Sequence, residues 1–117
     1  AMENPYVKII GHCDDVKYPA CYEELVKAAV RCRVLLEINN SSLSPGGYRG
    51  DTKANAADIL NRCRRLDHPV VLSSDSHGTG QIGDFRYAYA LIEETGFPRE
   101  LVLNYSLDSF KKFIQMR

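Results

Sequence analysis

The sequence predicts one α/β domain in which about four parallel strands alternate with helices. Short segments rich in branched apolar residues recur along the 117 residues, and stretches with helical apolar spacing separate them. Polar residues follow each of these segments immediately. A regular alternation of strand and helix favours a parallel sheet with right-handed crossovers, which is either open or part of a barrel.

The first predicted elements are defined by their apolar residues. Four apolar segments are predicted as strands, namely Val7–Ile10, Val34–Ile38, Val70–Leu72 and Leu101–Leu103. A first helix is predicted over Cys21–Arg33, where apolar residues repeat at helical spacing. A second helix follows a cap at Asp51–Thr52. The apolar face of this second helix consists of Ala56, Ile59, Leu60 and Cys63.

Two more helices and one loop complete the predicted elements. The third helix ends at Gly96 and Pro98 and carries an apolar stripe of Ile82, Phe85, Ala88, Tyr89 and Ile92. The last helix begins at Ser106 or Leu107 and runs to Gln115. Residues 39–50 form a long irregular segment that is polar and rich in glycine. A loop of this length in a compact domain is typical of a functional segment.

The composition argues against two classes of partner. Fifteen basic residues balance fifteen acidic ones, so no global field attracts nucleic acid or an anionic membrane. The apolar runs are much shorter than the ~20 residues that span a bilayer, and no secretory signal opens the chain, so we expect a cytoplasmic protein. Ala1 before Met2 is typical of the residue that a cleaved tag leaves.

The cysteines show no pairing pattern. The four residues are Cys13, Cys21, Cys32 and Cys63. They form no C-x-x-C pair and have no zinc-ribbon spacing. Free thiols are therefore favoured over a disulfide framework.

Chemically useful side chains come directly after the predicted strands. His12 follows the first strand, and Asp75 and His77 follow the third. Because the carboxyl ends of parallel strands gather at one edge of a sheet, we expect these side chains to converge. A carboxylate beside an imidazole suits zinc, iron or manganese, although such a pair is also typical of an aspartate that caps a turn. His68 precedes a strand and is interpreted as structural.

Several short motifs occur in a fixed order along the chain. They are Leu36–Ser42, Ser74–His77, Ile82–Gly83, Gly96–Pro98, and Leu103–Asn104 with Ser106. Their order and spacing resemble the C-terminal half of phosphoesterases of the PHP (polymerase and histidinol phosphatase) superfamily. In that family a strand also ends in a ligand histidine at the place of His12. The resemblance covers nearly all of residues 1–117, which we treat as one domain.

The resemblance implies a distorted seven-stranded (β/α) barrel that holds up to three transition metals at its C-terminal face and hydrolyses phosphate esters. By motif position, the metal ligands carried over are His12, Asp75 and His77. The resemblance assigns no catalytic residue here. Glu37, within the family's E-I-N-N motif, is interpreted as orienting a neighbour, and Asn39 and Asn40 as holding the long loop.

This sequence departs from the family pattern in its ligands. The family's other ligands lie in an N-terminal half without a counterpart here, and none of the three histidines forms an H-x-H pair. We therefore expect a divalent transition metal (zinc, manganese or iron) to be weakly held or absent, and the chain to be inactive alone. Cys13–Asp15 replaces the family's usual proline and offers carboxylates that bind metal or cap a turn. Arg49 or Arg64 substitutes for an arginine that would meet phosphate.

Two other interpretations stay open beside the enzyme fragment. One is a non-enzymatic PHP remnant kept for assembly or regulation. The other is a doubly wound domain that holds phosphate with Gly46–Gly50, which the lack of a following Gly-Lys-Ser/Thr disfavours. A half barrel has unpaired sheet edges and an uncovered inner face, so we expect a homo-oligomer. The inner face is predicted to include Ile9, Leu36, Ile38 and Val71.

Overall fold

The computed structural model describes residues 1–47 and 49–115. Within this part of the chain, strands lie at Ile9–Ile10 (β1), Leu35–Asn39 (β2) and Val70–Ser73 (β3). The α-helices are Tyr22–Cys32 (α1), Asn40–Leu43 (α2), Lys53–Arg65 (α3), Arg86–Thr95 (α4) and Leu107–Gln115 (α5). Single turns of 3-10 helix occur at Thr79–Gln81, Arg99–Leu101 and Leu103–Tyr105. The predicted α/β class is confirmed.

The strands form one small, open and parallel sheet in the order β1-β2-β3. The predicted fourth strand is wrong, because Leu101–Leu103 lies in 3-10 turns and joins β3 through an isolated bridge. The Asn104 side chain takes the place of a strand at this edge. Its Nδ2 donates to the Leu72 oxygen at 2.9 Å, and its Oδ1 accepts from the Leu72 nitrogen at 2.7 Å. A side-chain amide offers the same donor and acceptor as a peptide group, so it satisfies this part of the edge.

The larger hydrophobic core lies between one face of the sheet and helices α1, α3 and α4. The sheet contributes Leu36, Ile38, Val70 and Leu72, each at most 3% exposed. Leu36 and Ile38 were predicted to face the inside of a barrel, and this prediction is wrong. Side chains alternate along a strand, and the sequence of β2 gave no sign of which face the helices would cover.

The opposite face of the sheet is less covered. The register places Ile9 beside Leu35 and Val71 beside Glu37, so these side chains share this face. Helix α5 covers part of it, because Phe113 packs in a second cluster with Leu35. Ile9 stays 41% exposed. The open face therefore carries apolar residues at one end and the polar residues Glu37 and Asn39 of β2 at the other.

Helix α3 agrees closely with its prediction. All four residues of the predicted apolar face, Ala56, Ile59, Leu60 and Cys63, are buried. Thr52 precedes the helix, but its hydroxyl donates to the Ser42 oxygen at 3.1 Å and makes no cap. The threonine therefore ties the long loop to the helix, while Asp51, the other residue of the predicted cap, accepts the Lys53 N–H at 3.3 Å.

Helix α4 begins later than its apolar stripe suggests. It starts at Arg86, and Ile82 is 72% exposed outside it. The Oδ1 of Asn40 accepts the N–H groups of Tyr87 and Ala88 at 2.8 and 2.9 Å, and so caps the helix from a distant part of the chain. The end of α4 at Gly96, which has a left-handed φ of 69°, is as predicted.

The four cysteines are free. Burial raises the pKa of the Cys13 and Cys63 thiols to about 12, so both are protonated at neutral pH. Across residues 1–47 and 49–115, no helix combines the length and the apolar character needed to cross a bilayer.

Candidate functional site

The three candidate ligands lie at the carboxyl edge of the sheet. His12 follows β1 after Gly11, and Asp75 and His77 follow β3. Both histidines are exposed, and the Asp75 side chain is 28% exposed. The parallel strand order therefore brings them to one edge, where a ligand from solvent can reach them.

His68 precedes β3 and therefore lies at the amino ends of the strands, opposite the candidate ligands. Its Nε2 is 2.7 Å from the Val34 oxygen, and its ring packs edge-on against Phe113. Burial lowers the pKa of this imidazole, which favours its neutral form. These contacts fit the structural role inferred from its position in the sequence.

Glu37 connects the ends of all three strands. Its Oε1 accepts the His12 backbone N–H at 2.7 Å and the Asn39 Nδ2 at 3.2 Å. Its Oε2 accepts a short hydrogen bond from the Ser73 hydroxyl. Since the side chain sits on the open face and binds three neighbours, it acts as an organiser of the site, as its position in the motif suggested.

Asp75 is held through one of its two oxygens. Its Oδ2 accepts from the Asn39 Nδ2 at 3.0 Å and from the Arg49 Nη1 at 3.1 Å. The Asn39 hydrogen bond, and after it the Arg49 guanidinium, hold the pKa of this carboxyl below its usual value. Among the described residues, Oδ1 has no partner. The carboxylate is therefore ionised, fixed in orientation and open on one side.

The backbone at His12 and Asp75 is unusual. Both have positive φ, 33° at His12 and 47° at Asp75. The other non-glycine residues with positive φ in the described part of the chain are Arg33 and Asp67, which follow the ends of α1 and α3. Aspartate and histidine tolerate this region better than most residues, but it still costs about 1 kcal/mol or more. The surrounding hydrogen bonds hold both candidate ligands in this conformation.

His77 has one ring nitrogen engaged and one free. Its Nδ1 lies 3.1 Å from the Asp75 backbone oxygen, which requires Nδ1 to carry the proton. Its backbone N–H donates to the Gln81 Oε1 at 3.3 Å. A proton on Nδ1 leaves the Nε2 lone pair available, which is the usual arrangement of a metal-binding histidine.

The donor set fits part of a metal centre. In the described part of the chain, no group of three or more His, Cys, Asp or Glu side chains is arranged to hold an ion. The free atoms of the three candidate ligands are the Asp75 Oδ1, the His77 Nε2 and the His12 ring nitrogens. These oxygen and imidazole donors suit zinc, manganese or iron, and further donors would be needed to complete each coordination shell.

Arg49 reaches the site from the long loop. Its side chain is 8% exposed and donates to the Ser42 hydroxyl at 2.9 Å as well as to Asp75. It also lies 3.8 Å from the Asp15 carboxylate. Arg64, the other arginine considered for phosphate, instead donates to the Thr95 oxygen at 2.8 Å. Tyr48 of the glycine-rich loop lies outside the described residues.

Asp14 is a buried carboxyl that the sequence did not single out from its neighbour. Asp15 caps a turn by accepting the Lys17 N–H at 2.9 Å, whereas both Asp14 oxygens are buried without a hydrogen-bond partner. Burial, reinforced by the charge on Glu37, raises the pKa of Asp14 to about 6. The site edge therefore contains an acidic group that folding places in an unfavourable environment.

Sequence comparison finds relatives of the chain that are named probable phosphatases. The relative from Caldicellulosiruptor bescii is 36% identical over 116 residues, which are 99% of this chain and 47% of the relative. The relative from Shewanella sediminis is 38% identical over 117 residues, which are 100% of this chain and 47% of the relative. The chain thus spans about half the length of the curated relatives it matches. No family model matches it.

Proposed function

We propose that this chain is the C-terminal part of a metal-dependent phosphoesterase of the PHP type. The observation that carries the proposal is the arrangement of Asp75 and His77. Each is anchored through one polar atom and keeps a second, ligand-type atom free at the carboxyl edge of a parallel sheet. The names of the relatives support phosphate esters as the substrates.

The neighbouring residues of the chain would hold the metal-binding side chains in fixed orientations. His12, Asp75 and His77 would hold part of a divalent metal centre, which would supply polarisation of the phosphoryl oxygens and a lowered pKa for an attacking water. Asn39 and Arg49 fix the Asp75 carboxylate in its ionised form, and the Asp75 backbone oxygen fixes the His77 tautomer. Glu37 holds the strand end that carries His12. Each of these contacts orients a donor before any ligand arrives.

The proposed centre is completed by a segment that this chain does not span. A barrel of the PHP type needs more strands than the three found here, and its metals need more donors than His12, Asp75 and His77. The relatives are about twice as long as the matched region. We therefore propose that the isolated chain holds zinc, manganese or iron weakly and hydrolyses phosphate esters poorly or not at all.

A second candidate function is a non-enzymatic module for assembly or regulation. The ion pair between Arg49 and Asp75 favours it, because this carboxylate already has a cationic partner without any metal. The pair is partly exposed, so it does not by itself prevent metal binding. The two functions predict different results when the missing metal ligands are supplied. Only the phosphoesterase would then hydrolyse phosphate esters.

The test is complementation. The chain is mixed with the part of the C. bescii relative that it does not cover, and hydrolysis of phenyl phosphate is measured with added zinc or manganese. We expect activity from the mixture, little or none from either part alone, and loss of activity in Asp75→Ala. Asp108→Ala, an exposed aspartate on α5, is the matched control.

Two results would decide against the phosphoesterase. One is a mixture that forms a stable complex, by light scattering, yet shows no metal-dependent hydrolysis. The other is hydrolysis that survives Asp75→Ala and His77→Ala at the original rate. The first of these outcomes would favour the assembly module.

A further inference from the structure

A polar cavity adjoins the candidate site. It has a volume of about 300 Å³ and lies between α2, the segment after β3 and the start of α4. Ser41 and Ser74 form the wall nearest to Asp75. The Ser41 hydroxyl is 2.8 Å from the Ser74 oxygen and 3.1 Å from the Asp75 oxygen, so this wall is joined directly to the segment that carries the candidate ligand.

Asn40 gives the cavity a hydrogen-bond donor that water can reach. The residue is 4% exposed and lines the cavity. Its Oδ1 is used twice, by the N–H groups of Tyr87 and Ala88. These two donors identify Oδ1 and leave the Nδ2 group without a partner among the described residues. An amide donor in a buried residue is best satisfied by an acceptor on a ligand or by water.

An ion pair forms another wall of the cavity. The Arg86 Nε and Nη2 donate to Asp84 at 3.1 and 2.9 Å, which leaves the Arg86 Nη1 free to donate. The two charges cancel, so the cavity favours a neutral polar group over a second anion. Serine hydroxyls, an amide and an ion pair offer both donors and acceptors to such a group.

We propose that this cavity is the subsite for the alcohol part of the phosphate ester and that it takes a small polyhydroxylated group, such as a sugar or polyol. The proposal rests on the proposed function for the position of the phosphate at Asp75. Hydroxyl groups both donate and accept, so they match the walls of the cavity. An alkyl chain of equal length would leave these polar groups unpaired and bind more weakly.

Two glycines provide a matched pair of variants. Gly80 lines the cavity, whereas Gly78 does not. A Cβ at either position would meet no atom within 4 Å, and neither residue has a positive φ. Gly80→Leu therefore adds a large side chain at the cavity wall without backbone strain, and Gly78→Leu adds the same side chain two residues away. Similar thermal midpoints for the two variants show that the fold is kept.

Binding is measured by titration of the ¹⁵N-labelled chain with ribose 5-phosphate, ribose and n-pentyl phosphate. We expect both ribose compounds to shift the amide signals of Gly80, Gln81 and Asp84, and n-pentyl phosphate to leave them in place. Gly80→Leu should weaken ribose 5-phosphate at least about tenfold, and Gly78→Leu less than about twofold. Equal shifts from n-pentyl phosphate, or no shift at these amides with any probe at millimolar concentration, would overturn the subsite.

The complemented protein separates this proposal from the proposed function. If hydrolysis of ribose 5-phosphate falls in Gly80→Leu while hydrolysis of n-pentyl phosphate is unchanged, the subsite is supported. If the enzyme is active but both substrates are equally affected, the subsite is wrong and the phosphoesterase stands. If ribose shifts the cavity amides of a complex that has no activity, the subsite stands as a binding site and the phosphoesterase is wrong.

Discussion

Asp14 should make the protein less stable as the pH rises. Its pKa is raised from 3.8 to about 6 by folding, so the folded state binds the proton more tightly than the unfolded state. Stability contributed through this group is therefore greatest below pH 3.8 and is lost as the pH rises to about 6. At 1.36 kcal/mol per pH unit, the charged carboxylate costs up to about 3 kcal/mol at neutral pH.

The substitution Asp14→Asn tests this cost, because an amide has nearly the same shape and stays neutral. We expect the variant to exceed the wild type in free energy of unfolding by up to about 3 kcal/mol at pH 7 and to match it near pH 4. Urea denaturation followed by circular dichroism at pH 4, 5, 6 and 7 gives the difference directly. Asp108→Asn, at an exposed site, should show no such trend.

The reasoning would be refuted by a difference between Asp14→Asn and the wild type that does not change with pH. A pH-independent loss of stability would mean that the carboxylate has partners in solution that neutralise its charge. If the wild type instead became more stable than Asp14→Asn as the pH rises, the pKa of Asp14 would be lowered by folding, which is the opposite of the effect of burial.

The remaining predictions concern the sheet edge, the metal and self-association. Asn104→Ala removes two hydrogen bonds to Leu72 and should lower the free energy of unfolding by about 1–3 kcal/mol in urea denaturation, and no measurable loss would contradict the edge role. Asp75→Ala and His77→Ala should each reduce zinc retained after dialysis, measured by elemental analysis, whereas Asp108→Ala should not. Light scattering at micromolar concentration should show a dimer or larger assembly, and a stable monomer would mean that the open sheet is self-sufficient.

Helices α1, α3, α4 and α5 and two strands could be predicted from local pattern, whereas α2 lies in the segment that was predicted to be irregular. The apolar face of α3 follows from residues at helical spacing, and all its predicted members are buried. β2 and β3 follow from branched apolar runs between polar clusters. These features depend on a period within a few residues, which the sequence displays directly.

The contacts that fail to appear in the sequence join distant segments. The start of α4 depends on Asn40, more than forty residues earlier, and so the apolar stripe alone placed it too early. The apolar run at Leu101–Leu103 was predicted as a strand, but the Asn104 side chain makes the hydrogen bonds at the edge of β3 that such a strand would make. The face chosen by Leu36 depends on which side the helices cover.

The candidate ligands were found by their position after strands and by resemblance, but their supporting residues were found only in part. Glu37 was expected to orient a neighbour and Asn39 to hold the long loop, and both do. Asn40 was also expected to hold the loop, but its side-chain oxygen caps α4. Arg49 contacts Asp75 because the long loop folds back over the strand ends, which its glycine-rich composition does not reveal. The burial of Asp14 beside the exposed His12 has no local signal at all.

The Asn104 side chain makes the two margins of the sheet unequal. At β3 the amide closes the Leu72 peptide groups to any further chain, whereas the short β1 has no described strand on its outer side. A molecule with one closed and one open margin can add a neighbour in a single direction. If two such molecules paired through β1, neither would keep an open sheet edge. Assembly would therefore stop at a dimer and would not continue into a fibre. The Asn104 side chain would then be the group that prevents further strand addition at β3.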